Sequence, residues 1–347
     1  MTILADSVDI VIGVDPHKHT HTAAFVAADT GKHHDSRTSS ADPDGFAALL
    51  RSAQQHAGTR CWVIEGCGSW GRGLATWLQA VGEDVREIDS PARPARRMGK
   101  KTDDLDALRV AREALGRNDL ATPRNAGDRD ALAALLVARR SAVEMTGDTE
   151  RQLVSLAVTC TEQLAERLRG KTTTQIVDTC TRWRPTGDAS ITATAEAMRG
   201  LARRIRDLRA EADAHQRRIE ELVKAWRPDI LELVGVGPVV AATALVVWSH
   251  QGRVHNDGAF AMLAGAAPLP ASSGMTTRHR LNRRGDRHLN CALHIIAIQR
   301  QRHDPATKAY FERRRAEGKT DREIRRCLKR YIARQLYRTL ESGLDSQ

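Results

Sequence analysis

Four carboxylates stand at the ends of what read as core elements. Asp15 closes the β-branched run Val8-Asp-Ile-Val-Ile-Gly-Val-Asp15, and Glu65 closes the short apolar run Cys61-Trp-Val-Ile-Glu65. Asp103 and Asp106 lie in Lys101-Thr-Asp-Asp-Leu-Asp-Ala107, where a helical pattern begins. Hard oxygen donors of this kind suit Mg²⁺, with Mn²⁺ as a substitute. Two such ions about 4 Å apart can activate the attacking oxygen and stabilise the leaving oxygen at a phosphodiester. Helix geometry chooses among the aspartates. At about 100° per residue, Asp103 and Asp106 share a face, while Asp104 and Asp106 face apart. Asp104 is then an exposed acid that suits the helix dipole. The competing reading makes all three aspartates ordinary first-turn acids. Nearby, His17, His19 and His21 alternate on or just after a strand, which makes a Zn²⁺ site conceivable. No second ligand pair has a recognisable spacing, so surface or site-lining histidines are the preferred reading. Lys18, beside Asp15, is a candidate phosphate contact.

The elements that must position these acids follow an α/β pattern. Strands are expected over residues 8–15, 19–28, 33–39, 61–65 and 85–88, and helices over 43–53, 70–80 and from about 102. A basic loop, residues 93–101, leads into the last of these. From about 128 to 228 no strand is expected. There Met198, Leu201, Ile205, Leu208, Ala212, His215, Ile219, Leu222 and Trp226 form a heptad seam, with His215 as a polar register residue. The seam reads as a coiled-coil hairpin or a dimer-forming stalk, with a four-helix bundle packed on its own body as the alternative. Leu233-Val-Gly-Val-Gly-Pro-Val-Val-Ala-Ala242 then suggests a helix-hairpin-helix-like unit, in which Gly235 and Gly237 leave backbone N–H groups free for a phosphate. The expected fold class is α/β plus α. Its domains are an α/β domain over 1–125, a helical coiled-coil spacer over 126–228, and a basic helical domain over 229–347.

Charge separates these regions. The net charge is +11 over 347 residues, yet residues 276–340 alone hold 19 Lys and Arg against 6 Asp and Glu. A basic segment on a near-neutral body is the footprint of a polyanion such as nucleic acid. A solvated helix surface is the plainer alternative. Aromatics make up 4% of the chain, which argues against a stacking platform for single strands. The six cysteines form no C-x-x-C pair, and the N-terminus lacks a signal-peptide pattern, so a reducing cytoplasmic setting is expected. The longest uncharged stretch, residues 233–252, contains Gly235, Gly237 and Pro238, so no membrane span is expected.

Three blocks carry a resemblance. Val11-Ile-Gly-Val-Asp-Pro-His-Lys-His19, Glu65-Gly-Cys-Gly-Ser-Trp70 and Lys101-Thr-Asp-Asp-Leu-Asp-Ala107 resemble the DEDD transposases of the insertion-sequence one-ten family, relatives of the Piv DNA invertases. The likeness continues through Leu233-Val-Gly-Val-Gly-Pro238, Ala264-Gly-Ala-Ala-Pro268, Ser272-Ser-Gly274 and Arg283-Arg-Gly285. Ala266 departs from the leucine many relatives carry, and two serines precede Gly274. The resemblance implies a RuvC-like, RNase H-like N-terminal domain with Asp15, Glu65, Asp103 and Asp106 as metal-binding acids. It also implies a serine nucleophile in the C-terminal domain, carried to Ser273, with Ser272 as the alternative and a plain polar loop as the competing reading.

A serine hydroxyl attacks a phosphodiester only when deprotonated or held by cations. Arg278, Arg280, Arg283, Arg284 and Arg287 follow Ser273 and read most safely as phosphate contacts, as does Lys101. The function implied is DNA strand cleavage and rejoining for excision and insertion of a mobile element. Donor and target DNA, a non-coding bridge RNA that guides target choice, and a homodimer or tetramer are the implied partners. A junction-resolvase type of nuclease and a non-catalytic DNA-binding regulator on a transposase scaffold are the rival readings.

Overall fold

The computed structural model describes residues 2–88, 103–124, 127–184, 186–270, 279–280, 282 and 285–342. By its internal contacts the chain divides into two units, Met1–Ala126 with Trp248–Ala259, and Gly127–Val247 with Phe260–Gln347.

In the first unit the run ending at Asp15 becomes β1 (Ile10–Pro16), buried from Ile10 to Val14. Both of its faces are covered, which is why it reads as a continuous apolar run and does not alternate. It pairs antiparallel with β2 (Thr20–Ala27), which pairs antiparallel with β3 (His33–Ser40). After α1 (Pro43–Ala53), β4 (Arg60–Glu65) lies parallel to β1. After α2 (Arg72–Ala80), β5 (Asp84–Ile88) lies parallel to β4. The order β3-β2-β1-β4-β5 gives a mixed five-stranded sheet, the RNase H-like arrangement the resemblance implied. On one face Ile12, Val14, Phe25, Trp62 and Ile64 pack with Phe46, Leu49, Leu74 and Leu78 of α1 and α2. On the other, Val11, Val26 and Val63 pack with Val110, Ala111 and Ala114 of α3 (Asp103–Leu115). Glu83 ties the strands together: it accepts from Arg60 at 2.7 and 2.6 Å and from the Trp62 indole at 2.9 Å.

The segment Trp248–Ala259 belongs to this unit although it is remote in sequence. His250 Nε2 lies 3.2 Å from Glu87 on β5, His255 Nδ1 lies 3.0 Å from Asp119, and Arg124 donates to the Ser249 hydroxyl at 3.0 Å.

The second unit is largely helical. α4 (Asp128–Thr159) and α7 (Ala189–Trp226) form an antiparallel hairpin, with Arg139 bonded to Gln216 and Arg209 to Glu150. The heptad seam is thus closed within the chain. Met198, Ile205, Ala212 and Ile219 are buried, while Leu201, Leu208, His215 and Leu222 are half-buried. α5 (Glu162–Glu166) and α6 (Thr173–Thr181) fill the tip, where Leu153, Leu164, Val177, Trp183 and Met198 share a core. The arm before the Gly235 turn is a single 3-10 turn, Pro228–Glu232, because α7 stops at Trp226 before Pro228. Next come α8 (Pro238–Trp248), apolar on all sides, and α9 (Asp257–Leu263), both of which begin or end in the other unit. A short hairpin of β6 (Leu269–Pro270) and β7 (His279–Arg280) precedes α10 (Arg287–His303), α11 (Pro305–Ala316) and α12 (Asp321–Ser342). Among the described residues no helix is long and apolar enough to cross a membrane.

Candidate active site

β1 and β4 are adjacent and parallel, so their carboxyl ends lie at one edge of the sheet, and there stand Asp15 and Glu65. α3 crosses β1 closely because Gly13 has no side chain. A Cβ at Gly13 would sit 2.3 Å from the Ala107 carbonyl oxygen and 2.4 Å from the Ala111 nitrogen. That approach sets the first turn of α3, with Asp103 and Asp106, beside the end of β1.

Burial pushes the Asp15 carboxyl up, its side chain being only 14% exposed, and the charges of Glu65, Asp106 and Asp103 push it further. His17 opposes them. Glu65, Asp103 and Asp106 are thus all near enough for their charges to act on Asp15. Bringing like charges together out of water is costly unless a cation joins them. Asp106 is also paired with Arg109 and is half-buried, while Asp103 and Asp104 are both exposed.

His17 completes the cluster. Its Nδ1 lies 3.9 Å from Asp15 Oδ2, and its Nε2 lies 3.9 Å from Asp103 Oδ1. Nδ1 is buried and has no hydrogen-bond partner. Ligand atoms of Asp15, His17 and Asp103 fall within 4.8 Å of one another, so one ion can reach all three. The donor set of carboxylate oxygens with one imidazole nitrogen fits a divalent cation of the Mg²⁺ or Mn²⁺ kind. The three alternating histidines do not converge on zinc. His21 is 1% exposed and stacks on Phe46 with centroids 5.6 Å apart, while His19 is exposed. β1 ends at Pro16 and β2 starts at Thr20, so residues 17–19 form a turn in which strand alternation does not hold.

Ser272, Ser273, Lys101, Arg278, Arg283 and Arg284 lie outside the described residues. The contacts that flank the β6–β7 hairpin are described. Asn282 donates to the Met262 carbonyl at 3.0 Å, the Asp286 N–H to Leu263 at 2.6 Å, and Asn290 to Ala264 at 2.7 Å. Gly285 is required by contact, since a Cβ there would lie 2.2 Å from the Gly265 nitrogen. Arg280 sits on β7 opposite Leu269, and Arg287 is exposed at the start of α10. Gly235 has φ +82° and packs against α10, where its Cβ would meet the Ile296 carbonyl at 3.2 Å. Arg300 on α10 donates to the Val234 carbonyl at 2.7 Å. The glycine turn therefore has a packing role of its own, with Gly237 at the exposed approach to α8.

Comparison with known proteins agrees with this geometry. A family model described as a transposase, of the IS110 DEDD type, matches residues 12–160, which include all four acids. A second, described as the transposase IS116/IS110/IS902 family, matches residues 228–312. An uncharacterized 43.6 kDa protein of insertion element IS110 from Streptomyces coelicolor is 30% identical over 160 residues, 46% of this chain and 36% of the relative. An uncharacterized 42 kDa protein of insertion element IS900 from Mycobacterium paratuberculosis is 30% identical over 129 residues, 36% of this chain and 32% of the relative. The matched stretches span about a third of each of these relatives.

Proposed function

Since the chain belongs to the IS110 family of transposases, with a DEDD catalytic domain, we propose that it cleaves and rejoins DNA strands to excise and insert a mobile element. The observation that carries this reading is geometric: ligand atoms of Asp15, His17 and Asp103 lie within 4.8 Å of one another at the end of β1, and Glu65 ends the adjacent parallel strand β4. Asp15, Glu65, Asp103 and Asp106 hold Mg²⁺, or Mn²⁺ in its place. A divalent ion held by these acids would supply positive charge against the phosphate and its exchanging oxygens. The protein's own part is to hold the carboxylates convergent and to keep Asp15 out of bulk water.

Ser273 supplies the nucleophile. Its hydroxyl loses its proton as Oγ bonds to phosphorus and the bond to the departing sugar oxygen breaks, and that oxygen takes up a proton, so no net proton is gained or lost. Rejoining runs the same exchange backwards. Arg278, Arg280, Arg283, Arg284, Arg287 and Lys101 contact backbone phosphates, with the amides near Gly235 and Gly237 as further contacts. Donor and target DNA are the substrates, a non-coding guide RNA selects the target by base pairing, and the protein works as a dimer or tetramer.

The experiment is recombination between donor and target plasmids in cells, with the element's own flanking DNA. Wild type is compared with Asp15→Ala, Asp103→Ala and Ser273→Ala. The reading expects wild type to recombine and all three variants to fail while still binding nucleic acid. Activity retained by Ser273→Ala would remove the serine step and leave a hydrolytic nuclease of the resolvase type. Full activity in Asp15→Ala would remove the acidic site from the chemistry.

A further inference from the structure

In the second unit, basic side chains gather where α12 packs on α10. Lys329 is half-buried, yet its partner is neutral: Nζ donates to Asn290 Oδ1 at 2.6 Å. Burial holds this amine below the usual lysine range. One turn earlier, Arg325 donates Nε to Gln301 Oε1 at 3.0 Å. Its acidic neighbour, Asp321, lies 3.5 Å away and is already held at 2.7 and 2.8 Å by both arms of Arg315. His294, on α10, lies near both cations. Burial holds its imidazole below the usual range, and the charges of Lys329 and Arg325 hold it lower still. A side chain flanked by two cations, one bonded to a neutral amide and the other to a carboxylate already held by Arg315, leaves room for an anion from outside.

Their position narrows the anion. Asn290 spends its other side-chain atom on the Ala264 carbonyl at 2.7 Å, so one amide links Lys329 to the base of the β6–β7 hairpin. In sequence, Ser272 and Ser273 fall between β6 and β7. The exposed face of α10 continues the basic surface with Arg287 and Arg302 at its two ends. A helix of 17 residues is about 25 Å long, enough to follow several phosphates of one strand.

We propose that His294, Arg325 and Lys329, set in place by Asn290, form a seat for a backbone phosphate of the nucleic-acid strand presented to the serine hairpin. The seat rests on the transposase reading and adds to it a contact apart from the arginines of residues 278–287. Its chemistry is that of any phosphodiester, so DNA and RNA are separate arms of the test.

Full-length wild type and Lys329→Met are titrated with a short random-sequence DNA duplex and with an RNA duplex of equal length. Fluorescence anisotropy is read across a salt series, with circular dichroism to check folding. One lost phosphate contact lowers the salt slope by about 0.9, which is about an eightfold loss of affinity at 0.1 M salt. That loss is expected on the polymer that occupies the seat, whatever its sequence. The pair Arg325→Gln with Lys329→Met empties the same one-phosphate seat and should lower the slope by about 0.9 as well. A folded variant with unchanged affinity and slope on both polymers overturns the seat and leaves nucleic-acid binding in place. Wild type that binds neither polymer overturns the seat and the transposase reading together.

A second measurement needs no substitution. Cys291 is exposed beside Lys329, and Cys327 is exposed about 200° around α12 from it. Bound nucleic acid should slow alkylation of Cys291 relative to Cys327, read by mass spectrometry. Equal alkylation with and without nucleic acid at Cys291 overturns the proposal.

Discussion

Replacing Gly13 with alanine would place a methyl carbon 2.3 Å from the Ala107 oxygen, 2.4 Å from the Ala111 nitrogen and 2.8 Å from the Ala111 Cβ. Two of these are backbone atoms, so no rotamer change relieves the clash. β1 cannot retreat either, because it is bonded to β2 on one side and β4 on the other. A Cβ needs at least 3.0 Å, so α3 must withdraw by roughly 0.7 Å. Metal–ligand distances tolerate only about 0.2 Å. Asp103 and Asp106 ride on α3, so the site loses its convergence while keeping every carboxylate. The overpacking itself costs about 1–3 kcal/mol. The assay is thermal unfolding with and without Mn²⁺. Gly13→Ala is expected to fold, to melt a few degrees lower, and to lose most of the metal-induced rise seen in wild type. A variant that keeps the full rise would refute the argument that close packing of α3 on β1 places the acids.

Arg227 is 3% exposed and donates to Asp229 at 2.8 and 2.7 Å and to the Leu340 carbonyl at 2.8 Å, tying the end of α7 to the end of α12. Arg227→Met should cost about 3 kcal/mol in urea unfolding, and a loss below about 1 kcal/mol would count against this tie. The Arg60 guanidinium, then the Trp62 indole, hold the Glu83 carboxyl below its ordinary range, with burial opposing. Its stabilising contribution is complete above the unfolded value of about 4.3 and fades as pH falls through the lower folded value. The melting-temperature gap between wild type and Glu83→Gln should therefore narrow on acidification below about pH 4; a gap that widens contradicts the assignment. His17→Ala should weaken Mn²⁺ more than Mg²⁺ in calorimetric titrations, since an imidazole nitrogen favours the softer ion. Equal losses for the two ions would exclude His17 as a ligand.

The sheet was legible because β1 and β4 are buried on both faces and terminate in acids, so apolar runs and catalytic candidates shared one boundary. Helical pitch alone selects Asp103 and Asp106 over Asp104; in the structure Asp103 and Asp104 are both exposed and Asp106 is half-buried, so exposure does not separate them. The heptad seam gave helical spacing but not its partner. Met198, Ile205, Ala212 and Ile219 are spent on α4, and a repeat looks alike whether the facing helix is in the same chain or another. His17 was legible only as one of three surface or site-lining histidines, because the turn between Pro16 and Thr20 breaks the alternation that grouped them. The Trp248–Ala259 segment had no signal at all. Its hold on the first unit comes from Ser249, His250 and His255, whose partners lie far away in sequence and follow no period.

Calorimetric titration of Mn²⁺ into the full-length protein tests the acidic site most directly, with Asp15→Asn and Asp104→Asn titrated beside wild type. The account predicts saturable binding in wild type, unchanged binding in Asp104→Asn, and a loss of about tenfold or more in Asp15→Asn. Binding that survives intact in Asp15→Asn, or falls equally in Asp104→Asn, would contradict it.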